Sequence, residues 1–160
     1  MQMRVLLPSP LLLGGAPERG VEALQDYLKP EFNNMDLRGV STLGLAHIGD
    51  AVFELMVRTW LCAQGISTAK KLHGNTVEFV SAKAQAEASE RLLPKLREEE
   101  LAVFKRGRNA YANSVPRSST HEEYHLATAL ETLFGHLYLK GQTARLGELF
   151  EMVVEERVES

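Results

Sequence analysis

Residues 42–62, TLGLAHIGDAVFELMVRTWLC, decide how this chain folds. Their apolar side chains recur at helical spacings around almost the whole circumference, which predicts one long helix that is buried on most sides. Ser41 or Thr42 can cap the start of this helix, and Gly65 can end it. At about 1.5 Å per residue it would be about 35 Å long, enough to cross a domain. We therefore expect this helix to form the spine of the fold.

A row of polar and charged side chains interrupts the apolar surface of the spine. Its members follow one another at steps of three or four residues: His47, Asp50, Glu54 and Arg58. Side chains at these steps lie along one face of a helix. Because a carboxylate that is removed from water without a partner is costly in free energy, Asp50 should meet a cation, a metal ion or a wet cleft.

The rest of the chain also predicts helices. Thr68 and Ser81 can each cap a helix, and Thr120 followed by Glu123 has the spacing of a capping box. No stretch alternates with period two for long enough to be a strand. We predict an all-α fold with helices over 18–28, 42–62, 68–80, 82–93, 97–110, 120–141 and 144–157, a polar connection over 31–40 and a loop over 109–119.

Length and composition indicate one globular domain. The chain has 160 residues, 44% of them hydrophobic and 24% charged, which suits a single soluble domain with a real core. We expect a flexible lead-in over 1–17 and one domain over 18–160. The single cysteine, Cys62, excludes an internal disulfide and fits both a reducing cytoplasm and a place in the core. No run approaches the roughly 20 apolar residues of a membrane helix, so we expect a cytoplasmic protein without a membrane partner.

A basic segment lies in an otherwise acidic chain. The formal net charge is −3, which by itself argues against a nucleic-acid partner. Residues 104–117 contain no acid, however, and carry several donors for phosphate oxygens, namely Lys105, Arg106, Arg108, Asn109 and Arg117. Tyr111 alone is placed to stack on a base, so duplex RNA fits this segment better than a single strand. The alternative is an ordinary cationic helix end that the helix dipole favours.

Two long apolar helices each contain a carboxylate that packing does not explain, Asp50 and Glu131. Carboxylates that converge from neighbouring helices form an all-oxygen site suited to Mg²⁺, which needs only one or two of them. Such an ion lowers the pKa of a bound water and stabilises charge on a phosphoryl group, so the pattern favours phosphodiester hydrolysis. Alternatively, Asp50 and Glu54 lie on a solvated stripe beside Arg58, and Glu131 pairs with a Lys or Arg. No Gly-rich phosphate loop is present, so we expect no nucleotide cofactor.

Four short motifs carry a family resemblance. AHIGDAVFE at 46–54 resembles the signature helix of the ribonuclease III family, and ETLFGHLYL at 131–139 resembles the second motif of that family. VSAKAQA at 80–86, together with KRGRNA at 105–110, resembles mini-ribonuclease III. This branch keeps the nuclease domain and lacks the double-stranded-RNA-binding domain.

The resemblance implies a fold, an activity and a site. The fold is an all-helical homodimer in which the signature helices of two subunits meet beside a groove for duplex RNA, with a ribonuclease III-like catalytic domain over 18–160. The activity is that of an endoribonuclease that leaves 5′-phosphate ends, in the maturation of large-subunit ribosomal RNA. The resemblance also implies that Asp50 and Glu131 are the catalytic pair around Mg²⁺.

Two positions depart from the pattern of the larger relatives, which carry carboxylates where this chain has Ala46 and Thr128. Fewer carboxylates leave more of the metal coordination to water and phosphate and leave the number of ions open. His47 and Glu54 are candidate outer-shell helpers. The departures also motivate an alternative, a catalytically weak or inactive duplex-RNA-binding dimer in ribosome assembly. A third hypothesis is a helical protein–protein adaptor without an RNA role.

Overall fold

The computed structural model describes residues 26–110 and 115–158. The predicted lead-in over 1–17, nearly all of the predicted helix over 18–28 and the side chain of Tyr111 lie outside these residues.

Seven α-helices account for most of the described chain, and no strand occurs in it, which confirms the all-α prediction. They are α1 (Asn34–Arg38), α2 (Thr42–Ala63), α3 (Ala69–Val80), α4 (Ala82–Leu92), α5 (Glu98–Arg108), α6 (His121–Leu139) and α7 (Thr143–Val158), and a short 3₁₀ turn (Leu93–Lys95) links α4 to α5. None of the described helices is both long and apolar enough to span a membrane.

Side-chain caps fix the starts of three helices where the sequence predicts them. Ser41 caps α2 and Ser81 caps α4 through their hydroxyl oxygens. Thr120 and Glu123 form the predicted capping box of α6, with bonds of 3.1 and 2.9 Å. Thr68 is the N-cap residue of α3, as predicted, but its side chain makes no capping bond. Capping residues therefore locate the start of α6 and of the spine helix α2 well.

Helix α1 lies within the predicted polar connection over 31–40 and is not predicted by the sequence. It has only five residues, and Asn33 and Asp36 form a capping box at its start. Leu37 is its one buried residue. A helix of little more than one turn is too short for a helical period to be visible, which explains the miss.

The spine helix α2 is buried along one side. The buried residues recur at helical steps: Leu45, Ala46, Gly49, Phe53, Val57 and Leu61. On other sides Leu43 is 41% exposed and Leu55 is 57% exposed, so the predicted burial on most sides is not reached within one chain. Cys62 is also exposed, and the prediction of a core cysteine is wrong. Helical periodicity shows which faces of a helix are apolar, but it does not show whether the same chain covers those faces.

Aromatic contacts join α2 to α6 and α7 in the core. The ring of Phe53 on α2 meets the ring of Phe134 on α6 edge to face, with centroids 5.3 Å apart. The Phe150 ring on α7 packs against Phe53 in the same way at 6.1 Å. Edge-to-face geometry is the favoured arrangement of aromatic pairs. These contacts fix α2 against α6, the two helices that carry the predicted catalytic pair.

A buried ion pair joins α5 to α7. Arg145 donates to both carboxylate oxygens of Glu100, at 2.8 and 2.9 Å. The side chain of Glu100 is 6% exposed and that of Arg145 is 11% exposed. Glu100 Oε2 also accepts from the backbone N–H of Arg97, at 2.8 Å, at the start of α5. The pair therefore stabilises both the start of α5 and its contact with α7.

Candidate active site

Helices α2 and α6 are in direct backbone contact where they cross. A Cβ atom added to Gly49 would lie 1.6 Å from the carbonyl oxygen of Glu131, and one added to Gly135 would lie 2.0 Å from the carbonyl oxygen of Leu45. Only glycine permits so close an approach. Asp50 directly follows Gly49, and Glu131 lies one helical turn before Gly135. The contact therefore sets the two turns that carry carboxylates side by side.

This crossing brings together the two carboxylates that the sequence singles out. The negative charge of Asp50 is close enough to raise the pKa of Glu131. Glu131 is half-buried, whereas Asp50 is exposed in a single chain, so the surrounding protein removes only part of the hydration of Asp50. Asp50 lies at the edge of the α2–α6 contact.

Burial and mutual repulsion favour the protonated forms of both carboxyl groups. Burial, followed by the charge of Asp50, raises the pKa of Glu131 to about 8, and the Gln85 amide acts in the opposite direction. The pKa of Asp50 is also raised. The main cause is the loss of part of its hydration to the surrounding protein. The charge of Glu54 adds to this rise, and His47 opposes it.

The charges around the pair bear on whether it could hold a divalent cation. Glu54 forms an ion pair with Arg58, as the alternative interpretation predicts for the solvated stripe. Among the described residues, however, no basic side chain contributes to the pKa of Glu131. No group of three or more His, Cys, Asp and Glu side chains that could hold a metal occurs in this part of the chain. Two carboxylates that repel each other can bind Mg²⁺, with water and phosphate as the other ligands.

The two positions that depart from the larger relatives cannot add a ligand. Ala46 is buried in the core side of α2. Thr128 is 4% exposed, and its hydroxyl donates to the carbonyl oxygen of Tyr124 at 2.9 Å. Neither position therefore adds a carboxylate to Asp50 and Glu131, and the nearby Glu54 is paired with Arg58.

Gln85 is a residue of this site that sequence reasoning missed. It lies on α4, is 1% exposed and interacts through its side chain with the carboxylate of Glu131. Its sequence context contains a usable signal, since it is a large polar residue among the small residues of VSAKAQA. A polar side chain on a face that is otherwise suited to helix packing is informative about function.

The basic segment is divided between different surroundings. Lys105, Arg106 and Asn109 line an open cleft with residues 41–43 at the start of α2. The guanidinium of Arg108 instead lies 4.0 Å from the carboxylate of Glu122 on α6. Three of the five predicted RNA-binding residues are thus brought together.

The other two predicted RNA-binding residues lie outside this cleft. Arg108 faces α6, and Arg117 is exposed in a turn that precedes α6. Gly107 fixes this end of α5, because an added Cβ atom would lie 2.5 Å from the hydroxyl oxygen of Thr132 and 2.8 Å from Cα of Ala129. The helix runs through Gly107 to Arg108. This close packing holds the end of α5, which carries the cleft residues Lys105 and Arg106, against α6, the helix that carries Glu131.

Comparison with known proteins identifies the family to which this chain belongs. The Ribonuclease III domain family matches residues 43–142, and this chain belongs to that family. It is 40% identical to Mini-ribonuclease 3 of Clostridium tetani over 129 residues, which cover 80% of this chain and 85% of the relative. It is 43% identical to Mini-ribonuclease 3 of a Thermoanaerobacter species over 116 residues, which cover 72% of this chain and 82% of the relative.

A solved structure supports the same assignment. The crystal structure of a protein from Fusobacterium nucleatum superposes with a TM-score of 0.69 and 32% identity, and the match covers 76% of this chain and 98% of that protein. These matches confirm the predicted resemblance to mini-ribonuclease III and the ribonuclease III-like fold. They also confirm the predicted enzyme class, an endoribonuclease.

Proposed function

We propose that this chain is a Mg²⁺-dependent endoribonuclease that cleaves both strands of duplex RNA and leaves 5′-phosphate and 3′-hydroxyl ends. The observation that carries the proposal is the pair of carboxylates at the α2–α6 crossing. Asp50 raises the pKa of Glu131, while His47 opposes the rise in the pKa of Asp50. A divalent cation would neutralise both groups, and it would bind at the edge of an exposed surface where a phosphodiester can approach.

Asp50 and Glu131 would hold the ion, which when bound lowers the pKa of a water molecule and stabilises charge on the phosphate. The carboxyl group of Glu131 must first lose its proton, because a metal ligand has to be in its charged form. With a pKa of about 8 in the metal-free protein, Glu131 would release a proton when the ion binds near neutral pH. The role of Asp50 is to supply the second negative charge from the facing helix.

The cleft beside the start of α2 is the proposed binding surface for the RNA backbone. Lys105 and Arg106 are exposed on it, and Asn109 adds a neutral hydrogen-bonding group. Cations of this kind bind phosphate oxygens and position a duplex without reading its sequence. Arg117 would add a contact only if the duplex extends over the turn before α6.

A homodimer is part of the proposal. Leu43 and Leu55 are exposed on α2, and Val77 is 48% exposed on α3. Contact with the same helix of a second copy would cover Leu55 and would place two active sites on one duplex. Sedimentation at micromolar concentration tests this arrangement. We expect a dimer for the parent and a monomer for Leu55→Asp, and a monomeric parent would contradict the arrangement.

Precursors of large-subunit ribosomal RNA in the cytoplasm are the proposed substrates. This part of the proposal is supported by the resemblance to mini-ribonuclease III and by the high identity to proteins of that name. Incubation of a precursor transcript with the protein, followed by mapping of the ends, tests it. Cleavage at discrete positions in a base-paired stem is expected, whereas cutting only of an unrelated long duplex would contradict this choice of substrate.

Cleavage of a duplex RNA with and without Mg²⁺ tests the activity itself. We expect cutting that depends on the ion and that Asp50→Asn slows by more than about a hundredfold, the upper end of what loss of an outer-shell group causes. Glu151→Gln is the matched control, because it removes an exposed carboxylate from α7. Duplex binding without any cleavage by the parent would favour the inactive RNA-binding dimer, and no binding at all would favour the adaptor.

A further inference from the structure

Gln85 is a buried amide with an unused hydrogen-bond donor. The other buried residues of its helix, α4, are small or apolar, namely Ala84, Ala86, Ala88, Ser89 and Leu92. Its Nε2 atom is fully buried and makes no hydrogen bond of ordinary distance and angle within the described chain. An unsatisfied buried donor destabilises a fold and is rare in native proteins. Its presence at this position therefore points to a role other than packing.

The contact between α4 and α6 holds this amide beside the candidate metal site. Ser89, one turn further along α4, donates to the carbonyl oxygen of Leu126 on α6 at 2.9 Å, and both atoms are buried. This bond fixes the two helices against each other independently of Gln85. The Gln85 side chain interacts with the Glu131 carboxylate, although Nε2 does not complete a hydrogen bond to it.

We propose that Gln85 is a positioning residue whose Nε2–H group holds one carboxylate oxygen of Glu131, so that the other oxygen faces a cation shared with Asp50. This inference rests on the proposed metal site. A carboxylate that binds a cation is charged, and a charged acceptor forms a stronger hydrogen bond than a neutral one. The bond from Nε2 would therefore be completed when the cation binds.

The small number of carboxylates increases the importance of this orientation. Ala46 and Thr128 are buried and add no carboxylate, so each oxygen of Glu131 and Asp50 matters for affinity. Groups that orient a metal ligand typically change metal affinity by about 10–100-fold when they are removed. Gln85 would thus affect the ion through Glu131, without contact to RNA.

The test is a titration of the full-length protein with Mg²⁺, in which the rise in unfolding temperature is measured without RNA. In Gln85→Leu we expect the half-saturating Mg²⁺ concentration to rise about tenfold. The metal-free variant should be at least as stable as the parent, because the buried unsatisfied donor is gone. Gln85→Met is a second apolar replacement, which decides the question if the leucine variant does not fold.

Ser89→Ala is the matched control, since it removes a buried polar group from the same helix face. It should lower the unfolding temperature of the metal-free protein and leave the half-saturating Mg²⁺ concentration at the parental value. Parental half-saturation in Gln85→Leu and Gln85→Met would overturn the positioning role, as would a destabilised metal-free protein with an unchanged metal response.

Asp50→Asn in the same titration separates this inference from the proposed function. If Asp50→Asn loses the Mg²⁺ response while both Gln85 variants keep it, the metal site stands and the role of Gln85 is wrong. If Asp50→Asn keeps the full response, or if the parent has none, the metal site is wrong and the role of Gln85 with it.

Discussion

Gly49 on α2 and Gly135 on α6 face each other across a contact that leaves no room for a side chain on either residue. An added Cβ atom would lie 1.6 Å from a backbone oxygen at Gly49 and 2.0 Å from one at Gly135. Because backbone atoms cannot move aside as a flexible side chain can, any larger residue must push the helices apart. The distance between Asp50 and Glu131 therefore depends on these two glycines.

Gly49→Ala should destabilise the protein and reduce cleavage. Overpacking in a core costs about 1–3 kcal/mol, and a clash with backbone belongs at the upper end of that range. Thermal unfolding and duplex cleavage measure the two effects. Gly147→Ala on α7 is the control, because an added Cβ atom there meets nothing within 4 Å. We expect it to be neutral or stabilising by up to about 1 kcal/mol, as for glycine in a helix interior.

Glu131→Gln should stabilise the metal-free protein at alkaline pH. The folded-state pKa of Glu131 is about 8 and its ordinary value is 4.5, so the folded state binds the proton more tightly than the unfolded state. Stability from this group is present below the ordinary pKa and is lost as pH rises through the folded-state pKa. Above that pKa we expect Glu131→Gln to be more stable by at least about 1 kcal/mol, or roughly 2–4 °C.

The difference between Glu131→Gln and the parent should shrink towards acidic pH, where the parent carboxyl is protonated in the folded state. Thermal unfolding in the presence of a chelator measures it. A variant that is less stable than the parent above the folded-state pKa would contradict the electrostatic description of the site.

Sequence patterns predict the main elements of this fold for local physical reasons. Caps at Ser41 and Thr120 mark the starts of the two central helices, because a hydroxyl that bonds to a free N–H group acts within a few residues. The basic residues of 105–109 are also visible in the sequence itself, because they lie close together in a segment without acidic residues. The prediction that Asp50 and Glu131 meet has a different basis. Each is a carboxylate in an otherwise apolar helix, where packing does not explain it.

Contacts between distant parts of the chain could not be predicted in this way. The exposure of Asp50 and Cys62 depends on how much of α2 its own chain covers, and helical periodicity contains no such information. Gln85 reaches Glu131 only because α4 packs on α6. The segment VSAKAQA by itself therefore does not show which residue the Gln85 amide contacts. The close approach of Gly107 to Thr132 likewise exists only in the folded protein.

Glu100→Gln should be strongly destabilising. It breaks the buried pair with Arg145 and leaves the guanidinium without its main counter-charge, which typically costs about 3–5 kcal/mol. Glu148→Gln is the control, because it removes the other carboxylate that pairs with Arg145. The side chain of Glu148 is 55% exposed. Exposed pairs contribute about 0–1 kcal/mol. Denaturant unfolding compares the two, and equal losses would contradict the assignment of the buried pair.

Acid should weaken the same pair. The hydrogen bonds from Arg145 lower the pKa of Glu100 below its ordinary value of 4.5. The stability that this carboxylate provides is therefore present above its ordinary pKa and is lost as pH falls through the lowered folded-state value. The difference in stability between the parent and Glu100→Gln should decrease in that acidic range, as unfolding at a series of pH values would show.

Replacement of Arg106 by alanine should weaken duplex RNA binding and reduce its salt dependence. Each phosphate contact that is lost lowers the slope of log affinity against log salt by about 1. Lys83→Ala is the control, because Lys83 lines a separate depression with Glu87, Glu90 and Glu123. An acidic surface of this kind repels phosphate, so we expect the control to bind as the parent does. Equal slopes for Arg106→Ala and the parent would exclude the cleft as a phosphate site.

The most direct measurement of the central claim compares single-turnover cleavage of duplex RNA by Asp50→Asn, Glu131→Gln and the double variant. Residues that hold one ion act as a unit, so their effects are not additive. We predict that the double variant cleaves about as fast as the slower single variant. If the two losses multiply instead, Asp50 and Glu131 act independently, and the shared metal site at the α2–α6 crossing is contradicted.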